Sequence, residues 1–438
     1  MSRSFRNRWA RRAAVLSSAV AMVIAQISPR AASAGQTLYW DADANSAGNS
    51  FTTGAGLGGN GAWDAASNVW WSGSGADTVY SGTSADSVFF QGMGGVVQLG
   101  APQTIGTLTF SQSIGTFNIT GDGTSGANIL TLQGTASTAG QINVATGLTD
   151  TISAVVAGAN GLSINNGSNA GTLILSGANT YSGGTTLNAG TLGIFADNNL
   201  GNNSGGITFA GNSTLNLLAP VTLGAARTIT VNSGITGTIG SAANAQQVVL
   251  GQVAFGSNTS VLALNNAGTT YLLNSANSNT GVLWVQQGTL IDPSFADAVG
   301  GGNLKLGSVA NAGAFQYGAG VSGPLTLTNR AIELAGTTGG GTIDSSALSA
   351  ANSITINSNL VVSGAGAKAL TLTGFNTGIN TFAGSISNSS GATSITKSGM
   401  DLWVLSNAAN TNTGTLTINQ GVLRGTTSAA FGASGSIV

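Results

Sequence analysis

The sequence predicts an all-β fold, and more specifically an elongated β-solenoid, on three observations. The 438 residues include 68 Gly, and Gly, Ser, Thr and Asn are spread through the chain, where they break helices and favour turns. Short runs such as 106–110 and 353–356 alternate apolar with small polar residues, which places one set of side chains inside a sheet. Similar units also recur along the chain, which favours a solenoid over an array of sandwiches.

Residues 1–34 are expected to be a Sec-type signal peptide. Five Arg residues form a basic n-region (Arg3, Arg6, Arg8, Arg11, Arg12). The apolar stretch 13–27 follows, Pro29 interrupts it, and Ala32-Ser33-Ala34 offers a small-residue cleavage site. A membrane anchor is the competing interpretation, but about 15 apolar residues are short for a bilayer. The residues after Arg11-Arg12 match a twin-arginine signal poorly. The chain is therefore predicted to be exported.

The composition after residue 34 excludes several classes of function. All 13 acidic residues lie there, but only six of the 12 basic residues do. The sequence therefore offers no cluster of basic residues that would bind the phosphates of a nucleic acid. The chain has no Cys, which rules out disulfides and thiolate metal sites, and no His, the usual general base near neutral pH. With 42% hydrophobic residues the chain does not have the composition of a disordered protein.

The region 35–134 differs from the rest because it holds four of the tryptophans that follow the signal segment. They are Trp40, Trp63, Trp70 and Trp71. The favoured interpretation is a β cap or small β-sandwich core that shields the first coil, since terminal units of solenoids are atypical. The alternative is a glycan-binding platform made by the same four aromatic side chains.

The region 135–438 is predicted to consist of degenerate solenoid repeats. The clearest unit spans 171–192: Leu173 and Leu175 point to one face, a turn follows at 177–184, and Leu187 lies on the next short strand. After a turn at Ala189-Gly190 a third strand begins with Leu192, 19 residues beyond Leu173. A separation of 19 residues is a suitable length for one circuit of a β-helix.

Degenerate copies of this unit recur without gaps. The five positions Asn179, Gly183, Leu187, Gly190 and Leu192 are matched at one constant offset by Asn277, Gly281, Val285, Gly288 and Leu290, and at another by Asn410, Gly414, Ile418, Gly421 and Leu423. The turn 179–183 is also repeated at 380–384 with its aromatic residue. Gly permits positive φ at such turns, Asn tolerates it next best, and stacked Asn side chains are able to hydrogen-bond along the axis.

The segment from Leu175 to Leu192 resembles the autotransporter-associated β-strand repeat, which occurs in passenger domains of type V secreted proteins of Gram-negative bacteria. The stretch 380–405 is similar to the linker and strand that precede another copy, while Asn279 and Asn412 replace the aromatic residue of the motif. The resemblance implies a right-handed parallel β-helix displayed at the cell surface or outer membrane, with a translocator or anchor outside this chain. It implies no catalytic residues.

One stretch has the beginning of a calcium-binding loop. Asp41, Asp43 and Asn45 place oxygen ligands at alternate positions, as in such a loop, but Ser46 stands where Gly is expected and Thr52 where Glu is expected. The alternative is a solvated turn after the strand of Trp40. No cofactor is otherwise expected.

Candidate catalytic groups are sparse. The carboxylate pairs Asp41/Asp43 and Asp292/Asp297, with Glu333 as the single Glu, are candidates for a polysaccharide lyase or hydrolase, which needs two carboxyls across a cleft. A Ser–Lys dyad would use Lys305, Lys368 or Lys397, none of which lies in a recognisable motif. The chain is therefore predicted not to be an enzyme.

The leading hypothesis is an exported surface protein that serves as an adhesive or structural stalk. A glycan-binding module is the second and a polysaccharide-cleaving enzyme the third. An extracellular glycan or protein ligand is a candidate partner, and no nucleic-acid partner is expected. The segment 435–438 resembles the middle of a repeat and has no capping element. Because an uncapped coil exposes unpaired backbone groups, end-to-end self-association is expected.

Overall fold

The computed structural model describes residues 35–80, 82, 85–121, 128–134, 139–241, 246–278, 280–297, 301–318, 320–433 and 438. The predicted signal peptide 1–34 lies outside the described residues, as do Asn279 and the segment 435–437. In the described part of the chain, no helix is long and apolar enough to cross a membrane.

The described residues form 38 strands and two 3₁₀ turns, Asp197–Leu200 and Ser428–Phe431. The strands up to residue 223 are β1 (Thr37–Trp40), β2 (Gly61–Trp63), β3 (Trp70–Trp71), β4 (Ser87–Met93), β5 (Val96–Leu99), β6 (Gln103–Ile105), β7 (Thr107–Ile114), β8 (Asn118–Thr120), β9 (Ile129–Leu132), β10 (Gly140–Val144), β11 (Thr149–Ile152), β12 (Val155–Ala157), β13 (Leu162–Ile164), β14 (Thr172–Leu175), β15 (Thr185–Leu187), β16 (Gly190–Ile194), β17 (Ile207–Phe209), β18 (Ser213–Leu217) and β19 (Thr222–Leu223). The strands that follow are β20 (Ile229–Val231), β21 (Thr236–Ser241), β22 (Gln247–Val249), β23 (Val253–Phe255), β24 (Val261–Leu272), β25 (Val282–Ile291), β26 (Leu304–Leu306), β27 (Gly313–Tyr317), β28 (Leu325–Leu327), β29 (Ile332–Leu334), β30 (Gly341–Ser345), β31 (Ile354–Ile356), β32 (Val361–Val362), β33 (Lys368–Gly374), β34 (Ile379–Phe382), β35 (Thr393–Lys397), β36 (Leu402–Leu405), β37 (Leu416–Ile418) and β38 (Val422–Gly425).

These strands stack in parallel ladders that run along the solenoid. The first ladder is β3-β1-β4-β7-β10-β13-β15-β17-β20-β23. The second follows β2-β5-β8-β11-β14-β16-β18-β21-β24-β25, and the two halves of the long strand β25 continue into β26-β29-β32 and β27-β30-β33-β35-β37. Shorter ladders are β6-β9-β12 and β28-β31-β34-β36-β38. Among these described strands, β1 and β3 form the antiparallel pair. The predicted all-β parallel solenoid is confirmed, with about 13 turns.

The apolar core is a stack of equivalent positions from successive coils. Leu173 pairs with Leu192 in the register of β14 and β16, so the predicted circuit of 19 residues is confirmed. Eight residues continue this stack, each at most 2% exposed: Leu173, Leu192, Leu215, Ile239, Leu264, Val285, Leu306 and Leu334. Their neighbours in sequence face outward and form a half-exposed ladder of threonines, Thr172, Thr191, Thr214 and Thr238. Because successive side chains of a strand point to opposite faces, the alternation in the sequence places the apolar side chains inside at each coil.

The Trp-rich region shares its backbone ladder with the repeats. Strand β1 pairs in parallel with β4, β4 with β7, and β7 with β10, so hydrogen-bonded pairing crosses residue 134 without a break in direction. The aromatic cluster of the first coils thus lies on the same stack as the aliphatic core. The domain boundary at residue 134 stays a prediction.

The second turn of the repeat, the one that contains Gly190, needs a glycine because the backbone of the preceding coil lies very close to it. Gly190, Gly288 and Gly421 occupy the same position in three repeat copies, and their φ angles are 66°, 73° and 75°. A Cβ atom on Gly190 would lie 2.3 Å from the carbonyl oxygen of Gly171 in the coil before it. Only Gly adopts this conformation and leaves room for that carbonyl.

The asparagine of the first turn links one coil to the next. Asn179 Oδ1 accepts a hydrogen bond from Val156 N at 2.8 Å, and its Nδ2 donates to Asn199 O at 2.6 Å. Asn410 makes the same pair of contacts with Ile386 N and Ala430 O. In the third copy, Asn277 Oδ1 accepts from Val253 N (2.8 Å). The carboxamide satisfies backbone groups at a corner where no strand pairing does so.

Replacing Asn179 by Ala is expected to destabilise the solenoid. The change leaves the buried Val156 N–H and Asn199 carbonyl without partners, at about 1–3 kcal/mol for each group. Thermal unfolding followed by circular dichroism measures the loss. Asn202→Ala is the control, because this exposed side chain accepts only from Ser204 within its own turn. Equal melting temperatures for the two variants would contradict the linking role.

Candidate functional site

Three of the four N-terminal tryptophans form a buried aromatic core. The side chains of Trp40, Trp63 and Trp70 are 0% exposed. The ring centroids of Trp63 and Trp70 are 4.9 Å apart, those of Trp40 and Trp70 are 5.3 Å apart, and Tyr80 and Phe90 pack against this group. Trp40 Nε1 donates to the carbonyl of Gly59 at 2.9 Å. These three rings therefore present no face to a ligand outside the protein.

The fourth tryptophan belongs to an outer aromatic cluster, which consists of Tyr39, Phe51, Trp71 and Phe89. Tyr39 lies at the centre, with ring centroids 5.8 Å from Phe51, 5.9 Å from Trp71 and 5.2 Å from Phe89. Trp71 is only 6% exposed, whereas Phe51 is 49% exposed and Tyr39 and Phe89 are half-buried. The alternation of Leu38, Tyr39 and Trp40 on β1 was the available signal that Tyr39 faces away from the core.

An open groove of about 680 Å³ lies beside the loop 53–60. Its lining is rich in glycine, with Met93 and Ile114 as its exposed apolar residues and Asp43, Asn60 and Gln112 as polar ones. The sequence did not indicate this groove, because loop 53–60 and strands β4 and β7 meet only through the coil stacking.

The predicted calcium-loop residues lie at the end of β1, but not in the predicted arrangement. Asp41 is fully buried, and its Oδ2 accepts from Asn49 Nδ2 at 2.5 Å. Asp43 is exposed and accepts from Asn45 N, while Asn45 Oδ1 accepts from Ala47 N. Asp77 arrives from the loop after β3 and interacts with the Asp41 carboxyl. No set of three acidic side chains in the described ranges is arranged to hold a metal ion.

Burial sets the protonation of three carboxyl groups. It raises the pKa of Asp41 to about 7, against the hydrogen bond from Asn49, and the nearby Asp43 and Asp77 add to the increase. Burial also raises the pKa of Asp150 to about 6, although Phe117 N donates to its Oδ1 at 2.7 Å. The pKa of Asp292 is raised to about 6 for the same reason. Each of these groups loses water without gaining enough donors to favour its charge.

The other candidate catalytic carboxylates have structural partners. Asp292 Oδ1 accepts from the hydroxyl and the backbone N–H of Ser294. Asp297 accepts the backbone N–H groups of Thr328, Asn329 and Arg330, which hold its pKa below the ordinary value although its partial burial acts in the opposite direction. Glu333 contacts Lys305 Nζ at 3.2 Å, Asn303 Nδ2 at 2.8 Å and Ser363 Oγ at 2.7 Å.

The three lysines considered for a Ser–Lys dyad also have partners. Lys305 lies over the ring of Trp284, with its Nζ 4.8 Å from the centroid. Lys368 Nζ donates to the carbonyls of Thr337, Ala365 and Gly366. Lys397 Nζ forms a buried ion pair with Asp401 at 2.5 Å and donates to the carbonyls of Ser398 and Gly399. The contacts of Lys368 and Lys397 close backbone turns.

Comparison with known proteins identifies the repeats. The passenger-associated-transport-repeat family matches residues 168–194 and 395–424. In the structure, a 3₁₀ turn follows each matched segment, at Asp197–Leu200 and Ser428–Phe431. The adhesin BmaC autotransporter of Brucella suis biovar 1 (strain 1330) is 30% identical over 295 residues, which are 65% of this chain and 8% of that adhesin. The chain thus spans a small part of its relative's length, and no solved structure matches it. The resemblance seen in the sequence is confirmed for these repeats: residues 168–194 and 395–424 match a passenger-associated repeat family, and the chain is similar to a part of an autotransporter adhesin.

The raised pKa of Asp150 predicts that acid stabilises the fold. Because the folded state holds this proton more tightly than the unfolded chain, the contribution is present in full below about pH 4 and is lost as the pH rises through about 6. Asp150→Asn keeps an oxygen for Phe117 N–H and removes the charge. We expect this variant to match the parent protein near pH 4 and to be more stable by roughly 3 kcal/mol at pH 7.5.

Melting temperatures measured from pH 4 to pH 8 test this expectation. Asp64→Asn is the control, since backbone N–H groups of Ala66 and Ser67 lower the pKa of Asp64 and give the opposite dependence. A melting curve for Asp150→Asn that runs parallel to the parent curve across this range would show that Asp150 does not titrate as inferred.

Proposed function

We propose that this chain is a non-catalytic, exported passenger that acts as an adhesive or structural stalk at the surface of a Gram-negative cell. The observation that carries the proposal is that each matched repeat supplies strands that pair in parallel between successive coils, β14 with β16 and β36 with β38. Every coil adds length and an outward-facing row of side chains, and each coil is stabilised mainly by its neighbours. A chain built in this way supplies distance and surface.

The dimensions suit a spacer. About 13 turns at ~4.8 Å per turn correspond to a rod of roughly 60 Å. Its outer rows are dominated by small polar residues such as the threonine ladder that contains Thr172 and Thr191. With only 6% charged residues, the chain attracts few partners through long-range electrostatics. Specific contacts must then come from particular side chains on the rod.

The contacts of the candidate catalytic residues support the non-catalytic interpretation. Glycosidic cleavage needs one carboxyl to transfer a proton and a second to act as base or nucleophile. Asp297 caps three backbone N–H groups, and Glu333 is held by Lys305, Asn303 and Ser363. A carboxylate engaged by several donors is a weak base, because the donors stabilise its charged form.

A turnover assay tests the absence of catalysis. We expect the full chain to release no reducing ends and no unsaturated sugars from a panel of neutral and acidic polysaccharides over many hours. Product release that disappears in the double variant Asp292→Asn, Asp297→Asn would overturn the proposal. Release that persists in the double variant would point to a contaminating enzyme and is checked with a mock purification.

The alternative function, glycan binding by the N-terminal region, is favoured by the outer aromatic cluster. Aromatic faces stack on sugar rings, and Phe51 offers such a face beside Tyr39, whereas the rings of Trp40, Trp63 and Trp70 are enclosed. The glycan-binding hypothesis therefore moves from the four tryptophans to Phe51 and Tyr39, with Trp71 as their support. Binding at this cluster would make the stalk an adhesin.

A glycan array and binding to host cells, scored with fluorescent beads that carry the chain, test this alternative. We expect Phe51→Ala to lower binding about tenfold or more if sugars stack there, since stacking contributes on the order of 1–2 kcal/mol. Phe195→Ala is a matched control, because Phe195 is 48% exposed in a distant coil. Equal loss in both variants would indicate nonspecific adhesion, and an absence of binding by the parent chain would leave the structural stalk.

A further inference from the structure

Three buried oxygen atoms near the end of β1 have no hydrogen-bond donor. They are Asp41 Oδ1, Asn49 Oδ1 and Asp77 Oδ1. Asp41 is 0% exposed, so its inner oxygen has no access to bulk water either. An unsatisfied buried acceptor costs about 1–3 kcal/mol, and more when the group is charged. Three such acceptors lie in one small region, where a bound cation or a proton shared between Asp41 and Asp77 would satisfy them.

Separate stretches of chain bring these oxygens together. Strand β1 ends at Trp40, and the Asp41 backbone is fixed by Asp41 N donating to Val69 O at 3.0 Å. The loop returns so that Asn49 Nδ2 reaches Asp41 Oδ2. Asp77 lies near the same loop, and its carboxyl interacts with that of Asp41. The arrangement is held by a backbone contact of Asp41 and by the side-chain hydrogen bond between Asn49 and Asp41.

The sequence around these carboxyl groups contains no basic side chain that could neutralise them. Between Arg30 and Arg227 the sequence contains no Lys and no Arg, so the carboxylates of Asp41, Asp43 and Asp77 face one another without a basic partner. Their mutual repulsion and burial are relieved only by a proton or by a bound cation. Outside a cell, where calcium is abundant, a metal ion is available to supply that charge.

We propose that Asp41, Asn49 and Asp77 bind a calcium ion, with water completing its coordination. All three ligands are oxygens, which selects a hard cation, and the absence of His and Cys removes the ligands that zinc and copper prefer. Calcium accepts six to eight ligands in irregular geometry, whereas magnesium requires a regular octahedron. Two carboxylates suit the weaker sites of extracellular modules.

This proposed ligand set differs from the candidate set Asp41, Asp43 and Asn45 expected from the sequence. Asn45 Oδ1 is occupied by Ala47 N, so the amide ligand is Asn49, four residues later. Asp43 stays at the exposed rim and adds negative charge without supplying an inner oxygen. Asp77, from the loop after β3, supplies the acidic ligand in place of the Glu that a calcium loop would have at the position of Thr52. Gly56 leaves room for the Asn49 carboxamide, since a Cβ there would lie 2.3 Å from Oδ1.

Calcium titration of the full chain after treatment with EDTA tests the proposal. Isothermal titration calorimetry is expected to give one site with a dissociation constant of roughly 10⁻⁴–10⁻³ M. Terbium bound at the same site should luminesce on excitation of tryptophan, because Trp40 is adjacent to Asp41, and calcium should quench that signal by competition. The melting temperature should rise with added calcium.

Variants assign the site. Asp77→Asn, which is half-buried and least able to disturb the fold, should weaken calcium and terbium binding about tenfold or more. Asp41→Asn should do the same. Asp292→Asn is the matched control, since Asp292 is also fully buried with an unpaired oxygen but lies far along the chain, and it should bind as the parent does. Unchanged binding in Asp77→Asn, or no binding by the parent at about 10 mM calcium, would overturn the assignment.

Discussion

The structure depends on how each coil satisfies its backbone where the chain turns a corner. Between corners the parallel ladders pair every strand with its neighbours, but at the corners that pairing stops. A buried carboxamide replaces it: Asn179 joins the coils before and after it, and Asn410 does the same near the other end. Asn165, just after β13, and Asn380, within β34 where the sequence suggested a turn, act similarly, since each accepts a backbone N–H from an earlier coil and donates to a carbonyl. Besides this Asn and the turn glycines, the repeat copies share mainly apolar positions, because the rest of each coil needs only apolar side chains of suitable size.

Charged residues are rare in this chain, and the two halves of the solenoid differ in whether basic residues are present near the acidic ones. From Arg227 onward, buried cations close turns. Arg227 donates to the Asp197 carboxylate and to four backbone carbonyls, and Lys368 and Lys397 donate to clusters of carbonyls. Before Arg227, after the N-terminal segment, no basic residue is available, and buried carboxyls such as Asp150 must be neutral or find a cation from solution. Carboxyl groups whose pKa is raised by burial nevertheless occur in both halves, at Asp150 and at Asp292.

The sequence predicted what depends on local period and missed what depends on stacking. Alternation and the 19-residue offset gave the inward positions and the register of Leu173 with Leu192, and the turn residue Asn179 was recognised from its recurrence. The repeat did not reveal which side of the solenoid a copy occupies: the strand after the Asn turn is β15 in the first ladder but β25 in the second. Asp77 lies 36 residues from Asp41 and Phe51 lies in a loop, so neither carried a pattern. Such contacts are fixed by coil stacking, which one sequence does not disclose.

The loop after β1 connects the two N-terminal proposals. Residues 41–57 carry Asp41 at the start and Asn49 and Phe51 near the middle. Phe51 packs on Tyr39, the residue before Trp40 in the buried aromatic core. In these proposals, a cation that orders this loop would also fix Phe51 against Tyr39. The loop would then lose less conformational entropy when a sugar binds. Linkage then requires that a bound sugar tighten calcium binding by the same factor. An adhesive surface built on this loop would thus be competent where calcium is abundant, outside the cell, and weaker before export.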